Sequence, residues 1–226
     1  MKYTFDINLV DGHLLLGDNG NIILVDTGSP VTIHKAQTLN FLGRDFRVHT
    51  SIMGKGMGDI SQLAGIDFTT LLGMDVLSQY RVLFDYEGRK LTFLTEEEDG
   101  IDGTAYPLMD ILGMKVLDME ISGQHLKMAV DTGAPLSYVD RDVTDCLEPA
   151  GEKEDFNPMV GRYRTPVYTL ETVFGGRSFA VTYGNLPTIL AMSLKVGEVG
   201  GVIGYDFFRS FKVMLDFRSG TAVIAE

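Results

Sequence analysis

The chain has 226 residues, of which 45% are hydrophobic and 22% charged, with a formal net charge of −12. This composition is that of a globular protein with enough material for a core, and the acidic balance argues against nucleic acid and membrane surfaces as partners. A single cysteine, Cys146, excludes an intrachain disulfide, and the first residues contain no apolar signal-peptide region, so we expect a cytoplasmic protein.

Most of the chain is predicted to form short strands. Runs rich in Val, Ile, Leu, Phe, Tyr and Thr alternate with pairs of turn-forming residues, which is typical of an all-β fold. Short helices are expected after Asp75 and Asp206, with each aspartate capping a first turn, and a third after Asp140. The predicted turns are Asp11–Gly12, Asp18–Asn21, Glu87–Gly88, Gly175–Gly176 and Ser219–Gly220.

The triplet Asp-Thr-Gly occurs twice, each time at the end of an apolar run. Asp26–Gly28 follows Ile22–Val25, and Asp131–Gly133 follows Met128–Val130; a small residue and a proline follow each triplet. Two matched copies are far rarer than one chance triplet. The apolar runs suggest buried strands that each deliver an aspartate at the strand end, where glycine permits a tight turn.

The repetition extends well beyond the triplets. The segment LLGMDVLSQYRVLFDY aligns with VIGYDFFRSFKVMLDF, which places Gly73 over Gly204 and Asp75 over Asp206. A repeat of this length indicates that one structural unit was duplicated. The second copy is the longer, and we assign its additional residues to hairpin material in Thr165–Pro187.

An acidic, glycine-containing segment, Glu96–Gly103, separates the two copies and offers little apolar surface to bury. We therefore predict two lobes related by a pseudo-twofold axis. Residues 1–98 form the N-terminal lobe with the first triplet, and residues 99–226 form the C-terminal lobe with the second.

Two carboxylates brought face to face cannot both ionise easily, so such a pair holds one proton and titrates as a unit. The ionised partner can take a proton from a water that attacks a peptide carbonyl. The protonated partner can then donate a hydrogen bond to the carbonyl oxygen. This chemistry needs no metal, cofactor or nucleophilic side chain, and we expect none.

With these residues the chain resembles an aspartic peptidase of the pepsin and retropepsin group. The matching features are the two triplets and, later in each copy, two apolar residues followed by a glycine, Gly73 or Gly204. The Gly-x-Asp continuation is more like the retroviral-type proteases, which are homodimers with one triplet per chain. The chain resembles such a dimer fused into one, which implies a monomer with a bilobal acid protease fold and internal pseudo-twofold symmetry.

By this resemblance Asp26 and Asp131 form the catalytic pair. The neighbouring threonines are implied to form hydrogen bonds across the dyad to the opposite loop, and the glycines to lie close to the substrate backbone. The residues that would support the dyad are Thr27, Thr132, Gly28, Gly133, Ser29 and Ala134.

The fourth position of the motif differs between the copies, with Ser29 in one and Ala134 in the other. In pepsin-like enzymes a hydroxyl at this position bonds the nearby catalytic carboxylate, and such a donor favours the charged form. We therefore expect Asp26 to ionise more readily than Asp131. We also expect Ala134→Ser to shift the activity optimum to lower pH.

The resemblance also implies a glycine-rich hairpin, or flap, that closes the cleft. The candidate is Ser51–Ser61, although it lacks the tyrosine of the pepsin flap. In the second copy, Phe156–Arg164 is either a second flap or a loop. The flap residues expected to contact substrate are Ile52, Met53, Gly54, Gly56 and Met57.

In this group of proteins the chain ends build the interface between the lobes. Here the interface strands would lie near Lys2–Leu9, Lys90–Leu94, Ala105–Asp110 and Thr221–Ala225.

The function implied is that of an aspartic endopeptidase whose partner is a peptide or protein substrate with apolar side chains beside the cleaved bond. The alternative is a non-catalytic peptide-binding or dimerisation module that retains the fold. The histidines show no metal-ligand spacing.

Overall fold

The computed structural model of the protein describes residues 1–95 and 101–225. The predicted boundary between residues 98 and 99 lies outside the described residues.

The elements of the first half run from residue 2 to residue 94. The strands are β1 (Lys2–Val10), β2 (His13–Asp18), β3 (Asn21–Val25), β4 (Ile33–His34), β5 (Thr38–Phe41), β6 (Arg44–Arg47), β7 (Ser51–Ile52), β8 (Lys55–Gly56), β9 (Thr70–Leu72), β10 (Arg81–Asp85) and β11 (Lys90–Leu94). The helices are α1 (Met57–Ala64) and α2 (Met74–Leu77).

The elements of the second half run from residue 104 to residue 225. The strands are β12 (Thr104–Pro107), β13 (Met109–Ile111), β14 (Met114–Ile121), β15 (Gln124–Val130), β16 (Ser137–Val139), β17 (Gly151–Asn157), β18 (Gly161–Phe174), β19 (Arg177–Gly184), β20 (Gly201–Ile203), β21 (Lys212–Asp216) and β22 (Thr221–Ala225). The helices are α3 (Arg141–Thr144), α4 (Thr188–Val196) and α5 (Tyr205–Ser210).

Two large sheets contain most of these strands. Among the described residues one sheet has ten strands in the order β12-β22-β21-β10-β11-β1-β2-β3-β9-β4, and the other has eight in the order β13-β14-β15-β20-β16-β19-β18-β17. The expected all-β fold is confirmed. The predicted turns join paired strands; for example, Asn19 and Gly20 both have positive φ between β2 and β3.

The ten-stranded sheet joins the two halves through antiparallel pairing of β10 with β21. The strands expected from the chain ends, β1, β11, β12 and β22, all lie in this sheet. The segment Ala105–Asp110 was expected to form one strand of it. The chain instead divides there, since β12 joins the ten-stranded sheet and β13 pairs with β14 in the other.

Each half repeats one arrangement around its triplet. Strand β3 runs parallel to β9 and β15 runs parallel to β20, and both β9 and β20 also pair with an antiparallel neighbour. The aspartate that ends β3, Asp26, donates its N–H to the carbonyl of Leu72, and Asp131 donates to that of Ile203, both at 3.0 Å. The two triplets are therefore equivalent turns at the ends of equivalent buried strands.

The glycines of the later motif lie where a side chain would collide with the triplet loop. A Cβ on Gly73 would lie 2.4 Å from the carbonyl oxygen of Val31, and a Cβ on Gly204 would lie 2.2 Å from that of Ala134. These distances are far shorter than van der Waals contact. Both positions therefore exclude any residue larger than glycine.

The prediction that Asp75 and Asp206 cap helices is wrong. Helices α2 and α5 begin one residue before these aspartates, and the carboxylates form other hydrogen bonds. Asp75 accepts the N–H and the hydroxyl of Thr32 at 2.8 and 2.6 Å, and Asp206 accepts the N–H of Thr182 at 3.0 Å. The predicted helix after Asp140 is confirmed as α3, and the Asp140 side chain caps it by accepting the N–H of Asp142.

No helix within residues 1–95 and 101–225 is both long enough and apolar enough to cross a membrane.

Candidate active site

The two triplet aspartates meet at the floor of a cleft of about 400 Å³. Their carboxyl groups are hydrogen-bonded to each other. Asp26 Oδ1 also accepts the N–H groups of Gly28 and Ser29, each at 2.9 Å, and Asp131 Oδ1 accepts that of Gly133 at 2.8 Å. The backbone of each turn thus orients its own carboxyl group toward the other.

The two triplet threonines connect the halves below the aspartates. The Thr27 hydroxyl accepts the N–H of Thr132 at 3.0 Å and donates to the carbonyl of Val130 at 2.9 Å. The Thr132 hydroxyl makes the same two bonds, at the same lengths, with Thr27 and Val25. Both side chains are buried. This reciprocal set fixes the distance between the two loops, as the resemblance implied.

The triplet glycines lie against the opposite aspartate. A Cβ on Gly28 would be 2.2 Å from Asp131 Oδ2, and a Cβ on Gly133 would be 2.5 Å from the Asp26 Cγ. Any larger side chain would push the two carboxyl groups apart. The glycines are therefore required for the pairing itself as well as for the turns.

The surroundings of the dyad raise the pKa of both carboxyl groups. Desolvation is the main cause for each, and the negative charge of Asp131 raises the pKa of Asp26 further. The hydrogen bond between the two stabilises the ionised form of Asp131, which accepts it. Because both pKa values are raised, the pair is expected to hold one proton between the two carboxyl groups.

The reason given for expecting Asp26 to ionise more readily than Asp131 is not present in the structure. That expectation depended on a hydrogen bond from the Ser29 hydroxyl to the carboxylate, but that hydroxyl donates to the carbonyl of Val31 at 2.8 Å. A hydroxyl has one proton to donate, so none remains for Asp26. Ala134, in the equivalent place, also contributes no donor from its side chain.

The raised pKa of Asp26 predicts a pH-dependent stability. A carboxyl group whose folded pKa exceeds its unfolded value, near 3.8, stabilises the fold below that value and loses this contribution as the pH rises through the folded pKa. An asparagine side chain at this position would carry no charge to desolvate. We expect Asp26→Asn to raise the melting temperature at pH 7 by a few degrees, because about 1 kcal/mol corresponds to roughly 2–4 °C in a protein of this size.

Thermal melts of wild type and Asp26→Asn between about pH 3 and pH 8 would test this, and the gap should close toward the acid end of this range. The control is Asp118→Asn, because Asp118 is exposed on β14 and does not line the cleft. Parallel melting curves at every pH would contradict a raised pKa for Asp26.

The candidate flap, Ser51–Ser61, is shorter than expected. Strands β7 and β8, of two residues each, form a hairpin whose turn, Met53–Gly54, has positive φ at both residues. Ile52 and Met53 line the cleft, and Met53 is exposed. Gly56 precedes helix α1 as its N-cap. Met57 was assigned to the flap, but it begins α1 and its side chain is buried in the first half, so it is not part of the hairpin.

The alternatives left open for Phe156–Arg164 are settled in favour of a hairpin. Strands β17 and β18 pair from Gly151 opposite Val167 to Asn157 opposite Gly161. Residues near its tip line the cleft together with Ile52 and Met53 of β7–β8. Arg162 of this hairpin reaches the carbonyl of Gln62 in α1 at 3.4 Å, so the hairpin contacts the other half.

Three cleft residues were not singled out from the sequence. Asp155 on β17 accepts a hydrogen bond from the Tyr138 hydroxyl, which in turn accepts one from Tyr163 at 2.8 Å. All three line the cleft with the dyad. The internal repeat gives one indication of this group, because the second copy has Tyr138, with its hydroxyl, where the first copy has the apolar Ile33.

A metal site is not apparent in the described part of the chain, where no group of three or more His, Cys, Asp or Glu side chains is placed to hold an ion.

Comparison with solved structures identifies the fold. The chain is similar over 100% of its length to the aspartic proteinase from Irpex lacteus, with 97% of that chain covered, 11% identity and a TM-score of 0.55. Partial matches are a retropepsin-like aspartic protease from Rickettsia conorii and the Simian Foamy Virus (mac) protease. The match to the Rickettsia conorii protein covers 54% of this chain and 88% of that chain, with 14% identity and a TM-score of 0.38. The match to the viral protease covers 40% of this chain and 88% of that chain, with 20% identity and a TM-score of 0.31.

No protein-family model and no curated protein matches the chain. The protein therefore has an aspartic proteinase fold, identified from structure and from its doubled motif rather than from overall sequence identity.

Proposed function

We propose that this protein, whose fold is that of the aspartic proteases, is an aspartic endopeptidase that hydrolyses peptide bonds. The observation that carries the proposal is the pair of carboxyl groups, Asp26 and Asp131, hydrogen-bonded to each other at the floor of the cleft. A protein that only bound peptides would gain nothing from two carboxyl groups held together at the cost of desolvation and mutual repulsion.

In the mechanism we propose, each aspartate has one role. Asp131, ionised, takes a proton from a water held between the two groups, and the water oxygen attacks the peptide carbonyl carbon. Asp26, protonated, donates its proton toward the carbonyl oxygen and stabilises the tetrahedral species. When the C–N bond breaks, Asp131 passes its proton to the departing amine and Asp26 recovers its own from the hydroxyl group.

The substrate we propose is an extended segment of a peptide or protein. Apolar residues from both hairpins and from α4 line the cleft, among them Ile52, Met53, Phe156 and Leu190, which suits apolar side chains beside the cleaved bond.

Both aspartates belong to one chain, so we propose a monomer. The single, exposed cysteine suits a reducing compartment, and a cytoplasmic location is part of the proposal.

Cleavage of a diverse peptide library between pH 4 and pH 7, followed by mass spectrometry, tests the proposal. We expect internal cleavage within apolar segments and inhibition by a peptide that carries a tetrahedral hydroxyl in place of the scissile carbonyl, because it imitates the transition state. Peptide binding without any cleavage across this range would contradict the proposal and favour the non-catalytic alternative.

The position of the Ser29 hydroxyl predicts the effect of Ala134→Ser. A serine there is expected to donate to a nearby backbone carbonyl, as Ser29 does, and not to Asp131. The acid limb of the pH–rate profile should therefore stay where it is in the wild type. A shift of that limb to lower pH would show that the new hydroxyl stabilises ionised Asp131 and would contradict the expectation.

A further inference from the structure

A third carboxylate, Asp155, lies in the cleft beside the dyad. One of its oxygens accepts the Tyr138 hydroxyl and the other accepts the Phe156 N–H at 2.7 Å. A carboxylate has about four acceptor sites, so these two bonds leave capacity for further donors. Within the described residues no lysine or arginine forms an ion pair with Asp155.

A second cavity, of about 280 Å³, shares Asp155 and Phe156 with the lining of the cleft and lies where the β17–β18 hairpin meets β2 and α1. His13 lines it with only 4% of its surface exposed. Burial lowers the pKa of His13, and the backbone carbonyls of Val10 and Asp11 are hydrogen-bond acceptors for its ring. A neutral imidazole that donates its one N–H to such a carbonyl keeps an acceptor on the other nitrogen, which is left for a bound group.

The charged side chains around this cavity indicate which kind of chemical group would bind in it. Arg162 is already engaged, with Nη1 2.9 Å from Glu154 and Nη2 directed to a backbone carbonyl. Lys153 lines the cavity and partly offsets the charge of Asp155 but forms no ion pair with it. The acceptors that remain are the carboxylate of Asp155, one nitrogen of His13 and the exposed carboxylate of Asp11. A cationic donor matches this set, whereas an anion would face two carboxylates.

We propose that Asp155, supported by Tyr138 and completed by His13, forms a subsite that accepts a lysine or arginine side chain of the bound peptide. The apolar stem of such a side chain would pass Phe156, which stacks against the His13 ring with centroids 6.3 Å apart. The subsite makes the enzyme selective for segments that combine apolar residues with one basic residue near the cleaved bond. This inference rests on the proposed function.

Peptide pairs that differ only by arginine or citrulline test the subsite, because citrulline keeps the shape of arginine and removes its charge. The pair is scanned over the positions flanking a cleaved bond found in the library. At one position we expect kcat/KM of the wild type to favour arginine by at least about tenfold, since a desolvated charge pair is worth 1.4 kcal/mol or more.

The variant Asp155→Asn should reduce this preference to about onefold, so that kcat/KM falls more for the arginine peptide than for the citrulline peptide. The matched control is Glu152→Gln, because Glu152 lies on the same strand and is exposed. It removes one negative charge without reaching the cavity and should retain the preference. Equal turnover of both peptides by the wild type at every position, or an equal loss for both in Asp155→Asn, would overturn the subsite.

Calorimetric binding of the same peptides to Asp131→Asn separates this inference from the proposed function. If no peptide is cleaved by the wild type, the endopeptidase proposal fails, yet tighter binding of the arginine peptide that is lost in Asp131→Asn/Asp155→Asn would still support the subsite. Binding with no preference for arginine would overturn it independently of turnover.

Discussion

Replacing either Asp26 or Asp131 by asparagine is expected to lower kcat/KM by about 10²–10⁴-fold, the usual contribution of a positioned acid or base. Asparagine has nearly the same shape, and its oxygen can still accept the backbone N–H groups that hold each carboxyl group. It cannot exchange a proton with water or substrate. Initial rates on the best peptide of the library, with circular dichroism to verify the fold, measure the effect.

The two aspartates share one proton and act as a unit, so their effects should not add. The double variant Asp26→Asn/Asp131→Asn is expected to be about as slow as the slower single variant, as found for catalytic groups that depend on one another. A double variant whose loss equals the product of the two single losses would indicate that each aspartate acts independently.

Two controls make the measurement specific. Asp118→Asn, on the exposed face of β14, should retain wild-type rates. Asp75→Asn removes a carboxylate of the repeated motif that bonds Thr32 and does not line the cleft, so it should reduce stability more than turnover. Cleavage by either dyad variant within tenfold of the wild-type rate would contradict the proposed mechanism.

The parts of the site that the sequence predicts are those encoded locally. An apolar run followed by Asp-Thr-Gly specifies a buried strand, its carboxylate-bearing end and a tight turn, all within nine residues. The repeat then supplies the symmetry that brings the second turn to the first. The placement of Asp26 beside Asp131 follows from these two properties, whereas the strands contributed by the chain ends were implied by the resemblance to the acid proteases.

The parts that the sequence does not predict depend on which of several possible hydrogen-bond partners a side chain takes. Ser29 could donate to Asp26 or to a carbonyl, and the carbonyl of Val31, two residues along its own loop, is the partner in the fold. Asp75 could cap α2 or bond Thr32, and it bonds both donor groups of Thr32 instead. Such choices are decided by tertiary geometry, since the alternative bonds differ little in energy.

The asymmetry of the protein resides in what surrounds the dyad. In the first half, the short β7–β8 hairpin, with two residues in each strand, lines the cleft and leads directly into α1. In the second half, the longer β17–β18 hairpin reaches across to contact α1. The negative charge of Asp155, on that longer hairpin, also raises the pKa of Asp131. The second half therefore influences both the ionisation of the base and, by the proposed subsite, the choice of substrate.

Thr27→Ala is expected to destabilise the fold by about 2–5 kcal/mol. The Thr27 hydroxyl satisfies two buried backbone groups of the other half, the N–H of Thr132 and the carbonyl of Val130. Alanine leaves both without a partner, at about 1–3 kcal/mol each. Thermal or denaturant unfolding measures the loss, which corresponds to a fall of roughly 5–15 °C in melting temperature for a protein of this size.

Thr27→Ser distinguishes the contribution of the hydrogen bonds to stability from that of the packing of the methyl group. Serine retains the hydroxyl and both bonds, so it should cost about 1 kcal/mol or less, the value of one buried methyl group. Because the hydroxyl also sets the distance between the two turns, Thr27→Ala should lower kcat/KM even at temperatures where the variant is fully folded, whereas Thr27→Ser should not. Equal destabilisation by serine and alanine would mean that the methyl group, rather than the hydrogen bonds between the halves, holds the two turns together.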